Sequence, residues 1–303
     1  MDTDNRTVLF SDAAVITAAI CGTVNALGVL GNIITIIIIA RTAGMRGYSG
    51  ALMINQAVAE VMQEILCLVA ISLFLVRPRL VQLDIHIRLA LFGLCGVISQ
   101  SLSALSANLY LAICKPRRYK NMVTWNRFVI FLGCSWTFNS AIVCMYHFDP
   151  SFYVVDQMSH SDVLHINPTY SNCWFLILLV LNAAFVPICT SATCFLKIRS
   201  YMKHPTMANL SPHNMDKVML AQTVHIMTII YLITLIPVIG ASSVEVRTPG
   251  VKALFWAISS SFYILKLLIY VKLYTPFRET TKAMCCNFFQ NRVGHTDHVS
   301  ASA

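Results

Sequence analysis

The sequence predicts an all-α membrane protein: a bundle of seven transmembrane helices, followed by a short amphipathic helix on the membrane surface. Of its 303 residues, 57% are hydrophobic and 12% are charged, and the mean hydropathy is +0.67. Soluble domains average about 45–50% apolar and about 25% charged residues. Seven apolar stretches, each of about 20 residues or more, are long enough to cross a hydrocarbon core of ~30 Å.

The seven stretches follow one another with short connections, so residues 14–274 are predicted to form a single membrane domain. The predicted spans are Ala14–Ala40, Ser49–Val76, Ile85–Cys114, Phe128–Phe148, Cys173–Ile198, Val218–Ala241 and Ala253–Tyr274.

Basic residues set the predicted orientation, because cytoplasmic connections are enriched in Lys and Arg. Fifteen of the 22 Lys and Arg residues lie in the first, third and fifth connections and in the C-terminal end, and six lie on the opposite side. This distribution predicts an extracellular N-terminus and a cytoplasmic C-terminus, and we expect the membrane to be the plasma membrane. Anionic lipid explains the net charge of +9 better than nucleic acid does.

The N-terminal segment, residues 1–13, is polar and shows no cleavable signal peptide, so the first span is expected to act as its own anchor. Asn5 begins the glycosylation sequon Asn5-Arg6-Thr7 on the predicted outer side, and we expect it to be glycosylated. A second sequon, beginning at Asn209, falls on the predicted cytoplasmic side and should stay unmodified.

The C-terminal segment is predicted to contain an amphipathic surface helix at 275–290, because Phe277, Met284 and Phe288 recur at helical spacing. Cys285 and Cys286 follow the last span closely, which is typical of palmitoylation. Residues 291–303 are predicted to be a disordered cytoplasmic tail.

Lys266 is the most unusual residue within a span, because a lysine at the centre of a membrane helix costs roughly 2.5–3.5 kcal/mol on insertion scales. It requires a partner or a wet cavity. The second span supplies two deep acidic residues, Glu60 and Glu64, four positions apart on one helical face. From these residues alone, either glutamate could pair with Lys266, or Lys266 could face a hydrated channel.

Several motifs, in order and at matching spacing over residues 14–289, resemble those of class A, rhodopsin-like G protein-coupled receptors. The resemblance implies signal transduction across the membrane, with a heterotrimeric G protein and membrane lipid as partners, without a cofactor or a metal. The residues that carry it are Gly31-Asn32, Asn55–Glu60, Asn108–Pro116, Trp136, Pro187, Pro237, Lys266–Tyr270 and Phe277-Arg278. Pro187 and Pro237 would kink spans five and six.

Departures from the family pattern argue against ordinary G protein activation. The G protein-facing switch implied by the resemblance comprises Asn108, Leu109, Tyr110 and Tyr270, but Leu109 stands where the family has arginine and Asn108 where it has an acid. The tryptophan of the sixth span is Leu235, and the cysteine that tethers the third span to the second outer loop is Asp84.

The resemblance also favours one partner for Lys266. In the family, an aspartate of span two and an asparagine of span seven lie beside a sodium ion, and those positions are Glu60 and Lys266 here. It therefore predicts a buried ion pair, Glu60–Lys266 with Asn32 beside it, in place of the sodium site.

The family's ligand cavity opens outward between spans three, five, six and seven. The position at which amine receptors carry an aspartate is Leu91, so the implied ligand is a small apolar molecule, with Arg88 available to an acid group. Plain helix packing is the alternative for these positions. The implied pocket residues are Arg88, Leu91, Phe92, Cys95, Leu179, Ala183, Val238, Ile239, Ser242, Trp256 and Ser260.

Two other functions stay open. A non-signalling decoy or dimer partner would explain Leu109, and a transporter or photoreceptor would use Lys266 as a relay or a Schiff base. Animal opsins, however, would carry that lysine at Ser260. No metal-ligand spacing, nucleophile–base pair or phosphate loop indicates an enzyme.

Overall fold

A computed structural model describes residues 12–76, 81–148, 153–154, 165–166, 181–203, 212–243 and 249–286. Within these ranges, side chains are described at 15–42, 44–73, 86–87, 89–145, 181–203, 214–235 and 258–286. Several predicted sites lie outside the described residues, namely Asn5, Cys173, Leu179 and the tail 291–303. Asp84 lies in a described helix, but its side chain is outside the described set.

The described chain is almost entirely helical. Tyr153–Val154 and His165–Ile166 form one short antiparallel ladder, Ala43–Met45 is a 3₁₀ turn, and a π-helical turn, Leu181–Phe185, leads into α6. The helices are α1 Asp12–Arg41, α2 Tyr48–Val76, α3 Val81–Cys114, α4 Pro116–Met122, α5 Trp125–Phe148, α6 Val186–Met202, α7 Pro212–Ser243, α8 Pro249–Leu273 and α9 at 275–286.

Six segments of the described chain are long and apolar enough to cross a membrane, so the protein is a multi-pass α-helical membrane protein. Large apolar side chains point outward along them, including Ile130 on α5, Leu196 on α6 and Ile233 on α7. A helix that exposes such residues is stable where lipid replaces water. The six segments are Val15–Arg41, Tyr48–Leu73, Leu89–Cys114, Trp125–Met145, Leu181–Met202 and Asn214–Leu235.

The helix α3 is central to the bundle. Of its apolar span, 72% is buried, against 17% of the span of α5. It packs against α2, α5, α6 and α7, and its fully buried side chains Ile98, Leu102 and Leu105 form the middle of the core. The remaining contacts close a ring, because α1 packs against both α2 and α8, and α7 packs against α6 and α8.

The two predicted kink positions differ in their surroundings. Pro187 is buried in the first turn of α6, directly after the π-helical turn. The π-helical turn runs into α6 without a break, so this proline, which lacks an N–H, lies inside the continuous helical segment Leu181–Met202. Pro237 lies inside α7, which continues to Ser243, and its side chain lies outside the described set.

The predicted surface helix is present as α9 and is docked on the bundle. Phe277 is fully buried and stacks on Tyr270 of α8, with 5.2 Å between ring centroids. At the same end, the hydroxyl of Thr42, the residue after α1, donates to the Thr280 hydroxyl of α9 at 2.9 Å. Residues 287–290 of the predicted helix lie beyond the described chain.

Candidate functional site

A cluster of charged and amide side chains lies where α1, α2 and α8 meet. Asn32 comes from α1, Glu60 and Glu64 from α2, and Lys266 from α8, and each of them is at most 1% exposed. Glu60 and Glu64 share a face because they are four residues apart on one helix. We call these four residues the charge cluster.

The contacts within the charge cluster form a chain. The Lys266 ammonium donates to the Glu60 carboxylate and to Asn32 Oδ1. Asn32 Nδ2 donates to both carboxylate oxygens of Glu64, each at 3.3 Å. At the other end, Gln56 Nε2 donates to Glu60 Oε1 at 2.7 Å. Asn32 therefore stands between the ammonium and the second carboxylate.

The expected contact between Glu60 and Lys266 is present, with Asn32 beside it. Glu64, the other candidate partner, makes no ion pair with Lys266 within the described part of the chain and is reached only through Asn32. Either charge of a buried pair is costly alone, and the pair offsets that cost when its other hydrogen-bonding capacity is also satisfied. Gln56 and Asn32 supply part of that capacity.

Gly28 makes room for the Glu64 carboxylate and could not be recognised from the sequence. It lies one turn before Asn32 on α1, and a Cβ placed there would collide with the carboxylate of Glu64. Any larger residue at position 28 would displace Glu64 from Asn32 or push α1 away from α2.

A second polar link joins α1 to α8 one turn or more from the charge cluster. The Ser260 hydroxyl donates to Asn25 Oδ1 at 3.2 Å, and Asn25 Nδ2 donates to the Cys21 carbonyl at 2.7 Å. Ser260 and Asn25 are both buried. Among the described side chains, α1 and α8 are thus held by polar contacts at two separate levels.

The implied G protein-facing switch is neutral in this structure. Leu109 is 1% exposed and belongs to the main apolar core, and Asn108 Nδ2 donates to the Ser49 hydroxyl of α2 at 2.8 Å. The Lys197 ammonium lies 5.5 Å from the centroid of the Tyr110 ring. In α4, burial raises the pKa of the Tyr119 phenol.

The described members of the implied ligand pocket face different neighbours. Leu91 packs with Cys67 of α2 and with Ile87, whereas Phe92 lines a crevice between α3 and α5. Cys95 lies in the main core, and the Ala183 carbonyl accepts a hydrogen bond from the Ser99 hydroxyl at 2.9 Å. The side chains of Arg88, Leu179, Val238, Ile239 and Trp256 lie outside the described set.

A ring of three amides joins α3, α5 and the π-helical turn, and sequence reasoning missed it. Gln100 Nε2 donates to Asn182 Oδ1 at 2.8 Å, Asn182 Nδ2 to Asn139 Oδ1 at 3.0 Å, and Asn139 Nδ2 to Gln100 Oε1 at 3.2 Å. The Ser135 hydroxyl also donates to Gln100 Oε1. We call Gln100, Asn139 and Asn182 the amide ring. The available signal was the presence of amides inside apolar spans.

The helix α7 is tied to α3 by Tyr231. Its hydroxyl donates to the Cys95 carbonyl at 3.1 Å and lies 3.1 Å from the Ser99 hydroxyl oxygen. On the other side of α3, Gln63 Nε2 of α2 approaches Cys95 Sγ at 3.5 Å. Polar contacts therefore radiate from α3 to both sides of the bundle.

Two further predicted sites lie at the C-terminal end. Cys285 and Cys286 are free and exposed at the end of α9, where an acyl chain can attach without disturbing the core. The described residues contain no group of three or more His, Cys, Asp and Glu side chains that could hold a metal ion.

No known protein family model matches this sequence, and no curated protein shows significant similarity to it.

Proposed function

We propose that this protein is a divergent rhodopsin-like receptor with seven membrane spans that transmits a signal across the membrane by helix movement. The observation that carries the proposal is the charge cluster: a buried ion pair ties α2 to α8 inside a ring of helices around α3. In the family that the sequence resembles, the same two positions lie side by side. The helix α8, Pro249–Leu273, is 25 residues long and serves as the seventh span.

The ring arrangement supports a signalling role, because its polar contacts can be exchanged without exposing apolar surface. The Lys266 ammonium already has two acceptors from two different helices, Glu60 and Asn32. A shift of α8 toward either neighbour would keep one contact and break the other. Such a pair of alternative contacts is a two-state element that a ligand or a partner can bias.

The ligand that this proposal favours is small and apolar. Leu91 stands where the family's amine receptors carry an aspartate, and it is buried among Cys67 and Ile87. A cationic ligand would find no countercharge at that position. The partner on the cytoplasmic side is a heterotrimeric G protein, with membrane lipid around the spans and acyl chains on Cys285 and Cys286.

A second candidate, a non-signalling decoy or dimer partner, is favoured by Leu109. This side chain is packed in the core, and the neighbouring Asn108 makes a neutral hydrogen bond to Ser49. The charged switch of the family is therefore replaced by apolar packing and one amide contact.

The experiment that separates the two candidates measures G protein activation in cells that carry the chain with an N-terminal tag. The variant Leu109→Arg restores the family residue, and Leu111→Arg, which places the same charge two residues further along α3, is its matched control. Surface staining of the tag corrects for folding, since Leu109 is buried and an arginine there strains the core.

For a receptor, we expect the wild type to activate at least one G protein class above cells that carry the empty vector. If the wild type is silent at full surface level and Leu109→Arg, but not Leu111→Arg, restores activity, the helix machinery is intact but uncoupled, and the decoy replaces the receptor.

A further inference from the structure

Glu64 is the member of the charge cluster that has no cationic partner among the described residues. Its side chain is fully buried, and both of its carboxylate oxygens reach only Asn32 Nδ2, at 3.3 Å. A good N–H···O hydrogen bond has a donor–acceptor distance of about 2.7–3.2 Å, and both of these contacts are longer. One long amide contact is weak compensation for a carboxylate that has lost all of its water.

The charges of the cluster do not balance if both glutamates are ionised. Glu60 and Glu64 would then carry two negative charges, whereas Lys266 carries one positive charge and donates to Glu60. An isolated charge in the hydrocarbon core is costly, and a carboxyl group in such a place avoids the cost by keeping its proton.

The other titratable groups around the cluster are not bases and cannot neutralise a second carboxylate. They are buried thiols and buried phenols, contributed by α1, α2, α3, α7 and α8. These are Cys21 on α1, Cys67 on α2, Cys95 on α3, Tyr231 on α7, and Tyr263 and Tyr270 on α8. The only described cation at the cluster is therefore Lys266.

We propose that Glu64 is a proton-binding site. It is held as a neutral carboxylic acid next to the Glu60–Lys266 ion pair, and the ligand of this site is a single proton. Loss of that proton leaves a net negative charge among α1, α2 and α8. The ionised Glu64 then competes with Glu60 for the Lys266 ammonium, with Asn32 between them. The proposal concerns the charge cluster alone and holds whether or not the protein activates a G protein.

The sign of the pH dependence follows from the proton count. At neutral pH an exposed glutamate in the unfolded chain is ionised, whereas Glu64 in the folded chain holds a proton. The folded state thus binds one proton more than the unfolded state, and its stability falls as the pH rises.

The test measures the melting temperature of the purified full chain in detergent micelles, from mildly acidic to mildly alkaline buffer. Glu64→Gln keeps the shape of the neutral acid and its contact with Asn32. We expect it to melt at or above the wild-type temperature, and we expect its melting temperature to fall less toward alkaline pH than that of the wild type.

Glu60→Gln leaves Lys266 without its countercharge, so we expect a lower melting temperature at every pH. Glu279→Gln, at an exposed position of α9, is the matched control and should follow the wild type.

The proposal is overturned if Glu64→Gln lowers the melting temperature as Glu60→Gln does and keeps the wild-type pH dependence. A second measurement does not depend on the folding of any variant. The infrared spectrum of the wild type, in buffer alkaline enough to ionise exposed carboxyl groups, should retain the carbonyl band of a protonated carboxylic acid. Glu64→Asp should shift that band. Its absence from the wild type would refute the site directly.

Discussion

The absence of a single Cβ at Gly28 determines how closely α1 approaches Glu64. The carboxylate of Glu64 occupies the space that a side chain at position 28 would need. Asn32, one turn further along α1, can then reach both Glu64 and Lys266. The chemistry of the charge cluster thus depends on a residue with no chemistry of its own, because proximity of two backbones is a property that glycine confers.

We expect Gly28→Ala to destabilise the protein by about 1–3 kcal/mol, the usual cost of forcing extra volume into a packed interior. Gly22→Ala is the matched control on the same helix, because a Cβ there meets no atom within 4 Å. A Gly→Ala change in an open helix interior is neutral or stabilises by up to about 1 kcal/mol. Thermal melting in detergent checks both.

The double variant Gly28→Ala/Glu64→Ala identifies the cause of that loss. Removal of the carboxylate clears the space for the new methyl group, so the second substitution should recover most of the stability lost by the first. Two results would contradict the contact between position 28 and Glu64. One is an equal loss of stability for Gly22→Ala, and the other is a double variant that is no more stable than Gly28→Ala alone.

The helix α5 is held mainly by its contact with α3, and the amide ring provides the polar part of that contact. Its span is the least buried of the six. Between apolar helices in lipid, hydrophobic contact offers little preference for one neighbour over another, and hydrogen bonds and close packing set the pairing. Gly96 of α3 contributes by leaving space for the Asn139 side chain.

We expect Asn139→Ala to loosen α5, because it leaves Asn182 Nδ2 without its acceptor and Gln100 Oε1 without one of its donors. An unsatisfied buried polar group costs about 1–3 kcal/mol. Hydrogen exchange of α5 amides should accelerate more than exchange in α8. Asn126→Ala, at an exposed position of the same helix, is the control and should leave exchange unchanged. Uniform acceleration throughout the bundle would show that α5 is not held independently.

The helices and part of the charge cluster could be predicted from the sequence, but the rotations of the helices could not. Hydropathy locates only the part of each helix that lies inside the membrane, so the predicted spans begin later than the helices do. The predicted fourth span begins at Phe128 and α5 at Trp125, and the predicted sixth span begins at Val218 and α7 at Pro212. The scarcity of deep charges restricted the acidic partners of Lys266 to Glu60 and Glu64, and the family resemblance favoured Glu60, which is the residue that it contacts. The amide ring was not, because hydropathy does not say which faces of distant helices meet.

The C-terminal ends of α1, α3, α6 and α8, with the connections that follow them, carry most of the basic residues of the chain. Alternating helices bring the ends of α1, α3, α6 and α8 together, and Thr42, directly after α1, contacts Thr280 of α9 there. Tyr48, at the start of α2, packs against the rings of Tyr119, Trp125 and Phe128 at the same end. Arg117, Arg118 and Lys120 of α4 are exposed beside this aromatic group. Basic and aromatic side chains at one boundary are typical of the cytoplasmic membrane interface.

The two glycosylation sequons test this orientation, because they lie on opposite predicted sides. With the N-terminus outside, Asn5 is available to glycosylation and Asn209, in the connection after α6, is not. We expect enzymatic deglycosylation to increase the gel mobility of the wild type and of Asn209→Gln, and to leave Asn5→Gln unchanged. The inverted topology predicts the reverse, since Asn209 would then carry the glycan.

An antibody against an N-terminal tag tests the orientation without depending on glycosylation. It should stain intact cells without permeabilisation. Staining that requires permeabilisation would place the basic end of the bundle outside and refute the orientation.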